Sequence, residues 1–147
     1  MSRVSKEVIY LDNAAATPLD PAVKKEIVEV MELYGNPSSF NDAGRTARKK
    51  LDESRLAVAR FLGARPEEVI FTSSGSEANN LAILGLARSC SRRGEIITTP
   101  VEHPSVLESL KALQKEGWKI TYLKINSEGL IDLSDLERKL NPRVALI

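Results

Sequence analysis

Cysteine and histidine are almost missing from this 147-residue sequence, which has one of each, Cys90 and His103. A lone cysteine excludes an internal disulfide framework and fits a reducing cytosol. No charge sign dominates: 21 Lys and Arg stand against 20 Asp and Glu, a net charge of +1. That balance removes any electrostatic case for nucleic acid or an anionic membrane as partner. Long apolar runs are missing too. The longest, "LAILGLA" at 81–87, is far too short to span a bilayer. The opening "MSRVSKEVIY" mixes charges into its apolar residues, where a signal peptide would keep an unbroken core. No low-complexity tract, internal repeat or linker interrupts the chain. These absences describe a soluble, cytoplasmic chain the size of one ordinary domain. With 42% hydrophobic and 28% charged residues, it has the means to build a core and a solvated surface.

What is present reads as an ordered series of elements. "VIYL" (8–11) predicts a short strand or extended arm, closed by the turn-prone "DNAAATP". A helix opens with Asp20 as N-cap and Pro21 at its first position. Val23, Ile27, Met31 and Tyr34 give it an apolar stripe, and Gly35 is placed to stop it. After the loop "NPSSFND" (36–42), a second helix runs from Ala43 to Leu62, with Ala47, Leu51, Val58 and Phe61 on one side and Gly63 at its end. Then the pattern changes. "VIFT" (69–72), "EIITT" (95–99), "KITYLKI" (119–125) and "RVALI" (143–147) are β-rich, and helical patterns at about 76–90, 104–116 and 133–140 separate them. Their starts are Ser74 or Ser76, Pro104, and Asp132 or Ser134; Asn141-Pro142 stops the last. This alternation predicts an α/β fold built on βαβ crossovers, with a largely parallel sheet and helices on both faces. "RVALI" reads as an interior strand at the very end of the sequence, so the expectation is that the chain is part of a longer fold.

Within "FTSSGSEANN" (71–80) a strand end passes through hydroxyls and a glycine into a helix. A helix start leaves backbone N–H groups unpaired and carries partial positive charge. Gly75 allows close backbone approach, and Ser74 and Ser76 add hydroxyl donors, so the turn suits a phosphate. The plainer reading is that Ser74 or Ser76 only caps the helix, with Glu77 favouring its positive end. No Gly-Lys-Ser/Thr follows, so this is neither a nucleotide-binding P-loop nor a dinucleotide fingerprint. His103 stands before Pro104, after the next strand, at the same sheet end as Gly75; a capping role competes there with a catalytic one. Asp12, Asn13 and Thr17 read as turn chemistry, "RTARKKLDESR" (45–55) as a solvated helix face, and Cys90 as a structural or half-exposed helix cysteine.

In order, "YLDNAAATPLDP", "YGNPSS", "EEVIFTSSGSEANNLAI", "IITTPVEHPSVLESL" and "EGLIDLSDLE" resemble the N-terminal part of a cysteine desulfurase of the NifS/IscS type, in the class V aminotransferase group. The resemblance runs from about Val8 to Ile147. It implies the fold-type I architecture of pyridoxal 5'-phosphate (PLP) proteins, a homodimer with a large α/β domain and a smaller one. Residues 1–147 would be the N-terminal part of the large domain, with 1–35 as its arm and first helix. It further implies removal of sulfur from L-cysteine, giving L-alanine and an enzyme persulfide for iron–sulfur cluster assembly, with a scaffold or other protein as sulfur acceptor.

Carried over by position, Gly75 and Ser76 would bind the cofactor phosphate. His103 would stack on the pyridine ring and exchange protons with the substrate. Asn13 and Ala14, within "DNAAATP", would belong to the substrate-side wall. Many relatives have Ala-Thr in place of Gly75-Ser76, and serine keeps the hydroxyl. The family's Schiff-base lysine, ring-pairing aspartate, carboxylate-binding arginine and sulfur-accepting cysteine match no position of this chain. Without that lysine and aspartate the chain is expected to be inactive alone. The rival expectation is a non-catalytic remnant that binds a phosphate-bearing ligand or a partner. No metal site is expected.

Overall fold

The computed structural model describes residues 9–147, so Val8 of the expected first strand lies outside the described residues. The chain divides into two compact units, with the boundary between Ile70 and Phe71. No described helix is long and apolar enough to cross a membrane.

The first unit is helical. Residues 9–11 form no strand. Helix α1 (Pro21–Met31) starts as expected: the Asp20 carboxylate accepts the Ala22 amide at 2.7 Å, and Pro21 fills the first position. It ends earlier than the stripe implies. Met31 is its last residue, Tyr34 lies beyond it, and no α1 residue is buried, Val23, Ile27 and Met31 included. Gly35 is not the left-handed stop either. A Cβ there would sit 2.0 Å from the Ala43 carbonyl oxygen, so its glycine is required by close backbone approach. Helix α2 (Asp42–Leu62) is capped by Asn41, whose Oδ1 accepts the Gly44 amide at 2.8 Å. It ends at Gly63, which is left-handed at φ 65° as expected. Its buried face runs through Gly44, Ala47 and Ala59, while Phe61 is 90% exposed. Phe61 follows Ala59 by two residues, about 200° around the helix, which turns it away from the buried side.

The second unit is α/β. Helices α3 (Gly75–Ser89), α4 (Pro104–Lys115) and α5 (Leu133–Lys139) alternate with strands β1 (Glu95–Thr98), β2 (Lys119–Tyr122) and β3 (Val144–Leu146). The sheet is parallel throughout, in the order β2-β1-β3. Four strands were expected and three form. Residues 69–72 enter no ladder, although Val69 is extended (φ −94°, ψ 120°), since a strand needs a paired neighbour as well as extended backbone. The Val69 carbonyl accepts instead from the Arg55 guanidinium, after a 3₁₀ turn at Pro66–Glu68. The expected 119–125 strand stops at Tyr122, with Ile125 making an isolated antiparallel bridge to Ile131.

Central β1 is buried from Glu95 to Ile97. Ile96 joins Ala87 of α3, Leu110 and Leu113 of α4, and Trp118 in one apolar cluster, with Ile83, Val106, Ile120 and Leu146 against it. Leu110 and Leu113 are 1% and 0% exposed, and burying each contributes about 1.5–3 kcal/mol. This cluster anchors α3 and α4 side by side.

Candidate functional site

Three polar links order α3 against α4. Asn79 Nδ2 donates to Ser105 Oγ at 2.9 Å, Ser109 Oγ donates to Asn80 Oδ1 at 3.2 Å, and Arg88 Nη2 pairs with Glu116 Oε1 at 2.5 Å. The partners advance together along both helices, so the helices run parallel with their N-terminal turns at one end. The structure therefore brings Gly75 and Ser76, at the start of α3, to the same end as His103, at the start of α4.

The capping reading of the 72–76 turn is the one seen directly. Ser74 is the N-cap, its hydroxyl accepting the Glu77 amide at 3.2 Å. The Glu77 carboxylate turns back to accept from the amide and the hydroxyl of Ser73, both at 2.6 Å. These bonds, the hydroxyl first, hold the Glu77 carboxyl below its usual range. In a standard capping box the glutamate takes the amide of the N-cap itself; here it takes the residue before. The amides of Gly75 and Ser76 and the Ser76 hydroxyl find no partner among the described residues. A Cβ added at Gly75 would meet nothing within 4 Å, so the space beside this residue is open. Three free donors at the positive end of a helix suit the dianion of a phosphate monoester.

His103 caps α4 and is exposed. Its Nδ1 accepts the Ser105 amide at 3.1 Å and lies 2.7 Å from Ser105 Oγ. Its Nε2 has no partner among the described residues. Capping thus uses one ring nitrogen and leaves the other available.

Asn13 and Ala14 sit in an exposed turn closed by the Ala15 and Ala16 amides on the Asp12 carbonyl, at 3.1 and 3.3 Å. They belong to the first unit, so their place in a shared site rests on the resemblance alone. Cys90 ends α3, half-buried, its Sγ 3.4 Å from the Leu86 carbonyl oxygen. Among the described residues no His, Cys, Asp or Glu side chains gather as a metal site.

Sequence reasoning missed three residues of this end of the fold: Glu77 as a clamp on Ser73, and Asn79 and Ser105 as the bridge behind His103. The Ser74-x-x-Glu77 spacing was a usable signal for the first. Nothing in the sequence alone pairs Asn79 with Ser105, 26 positions apart.

Known proteins resemble this chain in sequence and in fold. The aminotransferase class-V family model matches residues 9–147. A cysteine desulfurase IscS of Dictyoglomus turgidum is 45% identical over 97% of this chain and 36% of its own length. A NifS-like protein of known structure superposes with a TM-score of 0.84 at 36% identity, over 90% of this chain and 37% of that one. SspA, solved in complex with cysteine, gives 0.81 at 34% identity, over 89% and 38%. The chain thus spans little more than a third of the length of these relatives.

Proposed function

This chain belongs to the aminotransferase class-V family, and on that premise we propose that it supplies the cofactor-phosphate side of a cysteine desulfurase. Its 147 residues correspond to the N-terminal part of the large domain, with 1–35 as arm and first helix. The cofactor is PLP, the substrate L-cysteine, and the products L-alanine and an enzyme persulfide destined for iron–sulfur cluster assembly. A homodimer, a scaffold or other sulfur acceptor, and a reducing cytoplasmic setting complete the proposal.

One observation carries it. Three unpartnered donors and the lone histidine stand at the matching ends of two parallel helices. The Gly75 and Ser76 amides and the Ser76 hydroxyl bind the phosphate, helped by the helix dipole. His103 would hold the cofactor's pyridine ring with its flat imidazole and keep water from that side. Its Nε2 holds or moves a proton beside the substrate. Asn13 and Ala14 line the substrate side. When bound, PLP supplies the electron sink that lets bonds to the amino-acid Cα and Cβ break.

No residue here matches the family's Schiff-base lysine or sulfur-accepting cysteine, so these residues alone bind without turnover. Calorimetric titration of the chain with PLP tests this. Ser76→Ala removes a hydrogen bond to a charged group, worth about 1.5–3 kcal/mol, and weakens binding roughly tenfold or more. Unchanged affinity would reduce the turn to a helix cap. With L-cysteine and PLP the chain alone releases no sulfide above the free-cofactor background, and a polypeptide carrying the rest of the fold restores release. Turnover by the chain alone, abolished in His103→Ala, would overturn this division of labour. Phosphate-ligand binding with no restoration would favour a non-catalytic binding module.

A further inference from the structure

His103 does not stand alone at the start of α4. Its Nδ1 has two neighbours, both from Ser105: the backbone amide, which donates to it at 3.1 Å, and the hydroxyl oxygen at 2.7 Å. A backbone N–H can only donate, so Nδ1 carries a lone pair and the neutral ring keeps its proton on Nε2. A ring nitrogen with a lone pair and no hydrogen can only accept, so at the 2.7 Å contact Ser105 Oγ–H donates to Nδ1. Asn79, from the neighbouring helix, donates an amide hydrogen to that oxygen at 2.9 Å, which holds the Ser105 hydroxyl in place. The direction of each bond then follows in sequence, from Asn79 Nδ2–H to Ser105 Oγ and from Ser105 Oγ–H to His103 Nδ1. Asn79 and Ser105 are half-buried, so water competes less for these bonds than for those of an exposed pair.

We infer that Asn79 and Ser105 are positioning residues that lock His103 as its Nε2–H tautomer and present a proton donor at the free ring nitrogen. The inference rests on the functional reading above only for its purpose, since the hydrogen-bond chain exists without any ligand. Its consequence is directional. A neutral His103 held this way offers a proton at Nε2 and has no lone pair there to accept one. A ring fixed through Nδ1 also cannot rotate freely, so its flat face keeps one orientation. Ser109 and Asn80 reinforce the same contact one turn further on. Ser109 Oγ lies 2.8 Å from the Ser105 carbonyl and 3.2 Å from Asn80 Oδ1, and it ties Ser105's own turn to α3.

Because the chain has one histidine, its ring nitrogens give an unambiguous nitrogen NMR signal. Long-range proton–nitrogen correlation spectra of the ligand-free chain at about pH 9, above the ordinary histidine range, read the neutral tautomer directly. The wild type is expected to show Nε2 as the protonated, pyrrole-type nitrogen and Nδ1 as the hydrogen-bonded, pyridine-type one. In Ser105→Ala and Asn79→Ala the Nδ1 signal shifts toward that of a nitrogen held by the backbone amide alone, or the two signals move together as a tautomer mixture forms. Ser105→Thr, which keeps the hydroxyl, restores the wild-type pattern. A wild-type ring protonated on Nδ1 would overturn the inference, and so would wild-type nitrogen shifts in both alanine variants. If either alanine variant fails to fold, the wild-type spectrum and the other variant still decide. Failure of PLP titration with this NMR pattern intact would remove the proposed function and leave the positioning pair standing.

Discussion

Glu95 and Lys119 are partners in the β1–β2 ladder whose side chains also meet, Nζ to Oε1, at 2.8 Å. Glu95 is 2% exposed, yet every charge-bearing oxygen is served: Lys119 and Thr121 of β2 bond to Oε1, and Asn141, just before β3, donates to Oε2 at 3.1 Å. One buried carboxylate thus ties the central strand to both neighbours. Lys119 above all, then Thr121 and Asn141, hold its pKa near 2, against an ordinary 4.5. Asp135 is held near 2 as well, chiefly by Lys139 and then by the Lys124 amide.

The pH dependence of stability follows from those two groups. A depressed folded-state pKa contributes stability that is complete above the unfolded value and is lost as pH falls through the folded one. The second unit should therefore be steady above about pH 4.5 and lose stability progressively toward pH 2. Glu95→Gln should be less stable at pH 7 and show a shallower loss between those limits. Urea midpoints measured across this range check it; an acid slope in the variant as steep as in the wild type would refute the assignment.

Core packing makes a separate prediction. Leu113 is fully buried between α4 and the sheet cluster, so Leu113→Ala should cost about 2–5 kcal/mol through lost transfer energy and a residual cavity. Phe61, larger but 90% exposed, should cost under about 0.5 kcal/mol when cut to alanine. Denaturant unfolding of the two variants ranks them, and equal losses would contradict the burial of α4.

Two glycines should respond oppositely. A Cβ at Gly94 would sit 2.5 Å from the Arg143 carbonyl oxygen, the same oxygen that accepts the Glu95 amide at 2.8 Å. Gly94→Ala should push β3 from β1 and destabilise by about 1–3 kcal/mol. Gly75 has ordinary φ and open space, so Gly75→Ala should stabilise by about 0.4–1 kcal/mol. It should also leave PLP binding in place, because the amide donors remain. Thermal melts with and without PLP check both; loss of binding in Gly75→Ala would mean that the ligand needs the room the Cβ fills.

Much of the candidate site was legible because local chemistry fixes it. Asp20, Gly63 and Asp132 cap or stop their helices through their own neighbours, and Ser74 does so while leaving Gly75 and Ser76 free. Where the reading missed, the cause was a partner distant in sequence. Residues 69–72 have strand composition but join no ladder, and Gly35 looked like a helix stop but serves a backbone contact with Ala43. The α1 stripe has helical spacing without burial, since spacing says which residues share a face and not what covers it.

The sequence by itself determined the α/β alternation of the second unit, the helix starts, and the family blocks with their phosphate-type turn and lone histidine. These depend on dihedral preference, capping and spacing, all carried within a few residues. Only the tertiary structure decided that α3 and α4 run parallel with matched ends, that Glu95 clamps three strands, and that Asn79 reaches Ser105 behind His103. Hydrogen bonds and close packing act over a few ångströms, and only folding brings residues 26 or 46 positions apart within that reach.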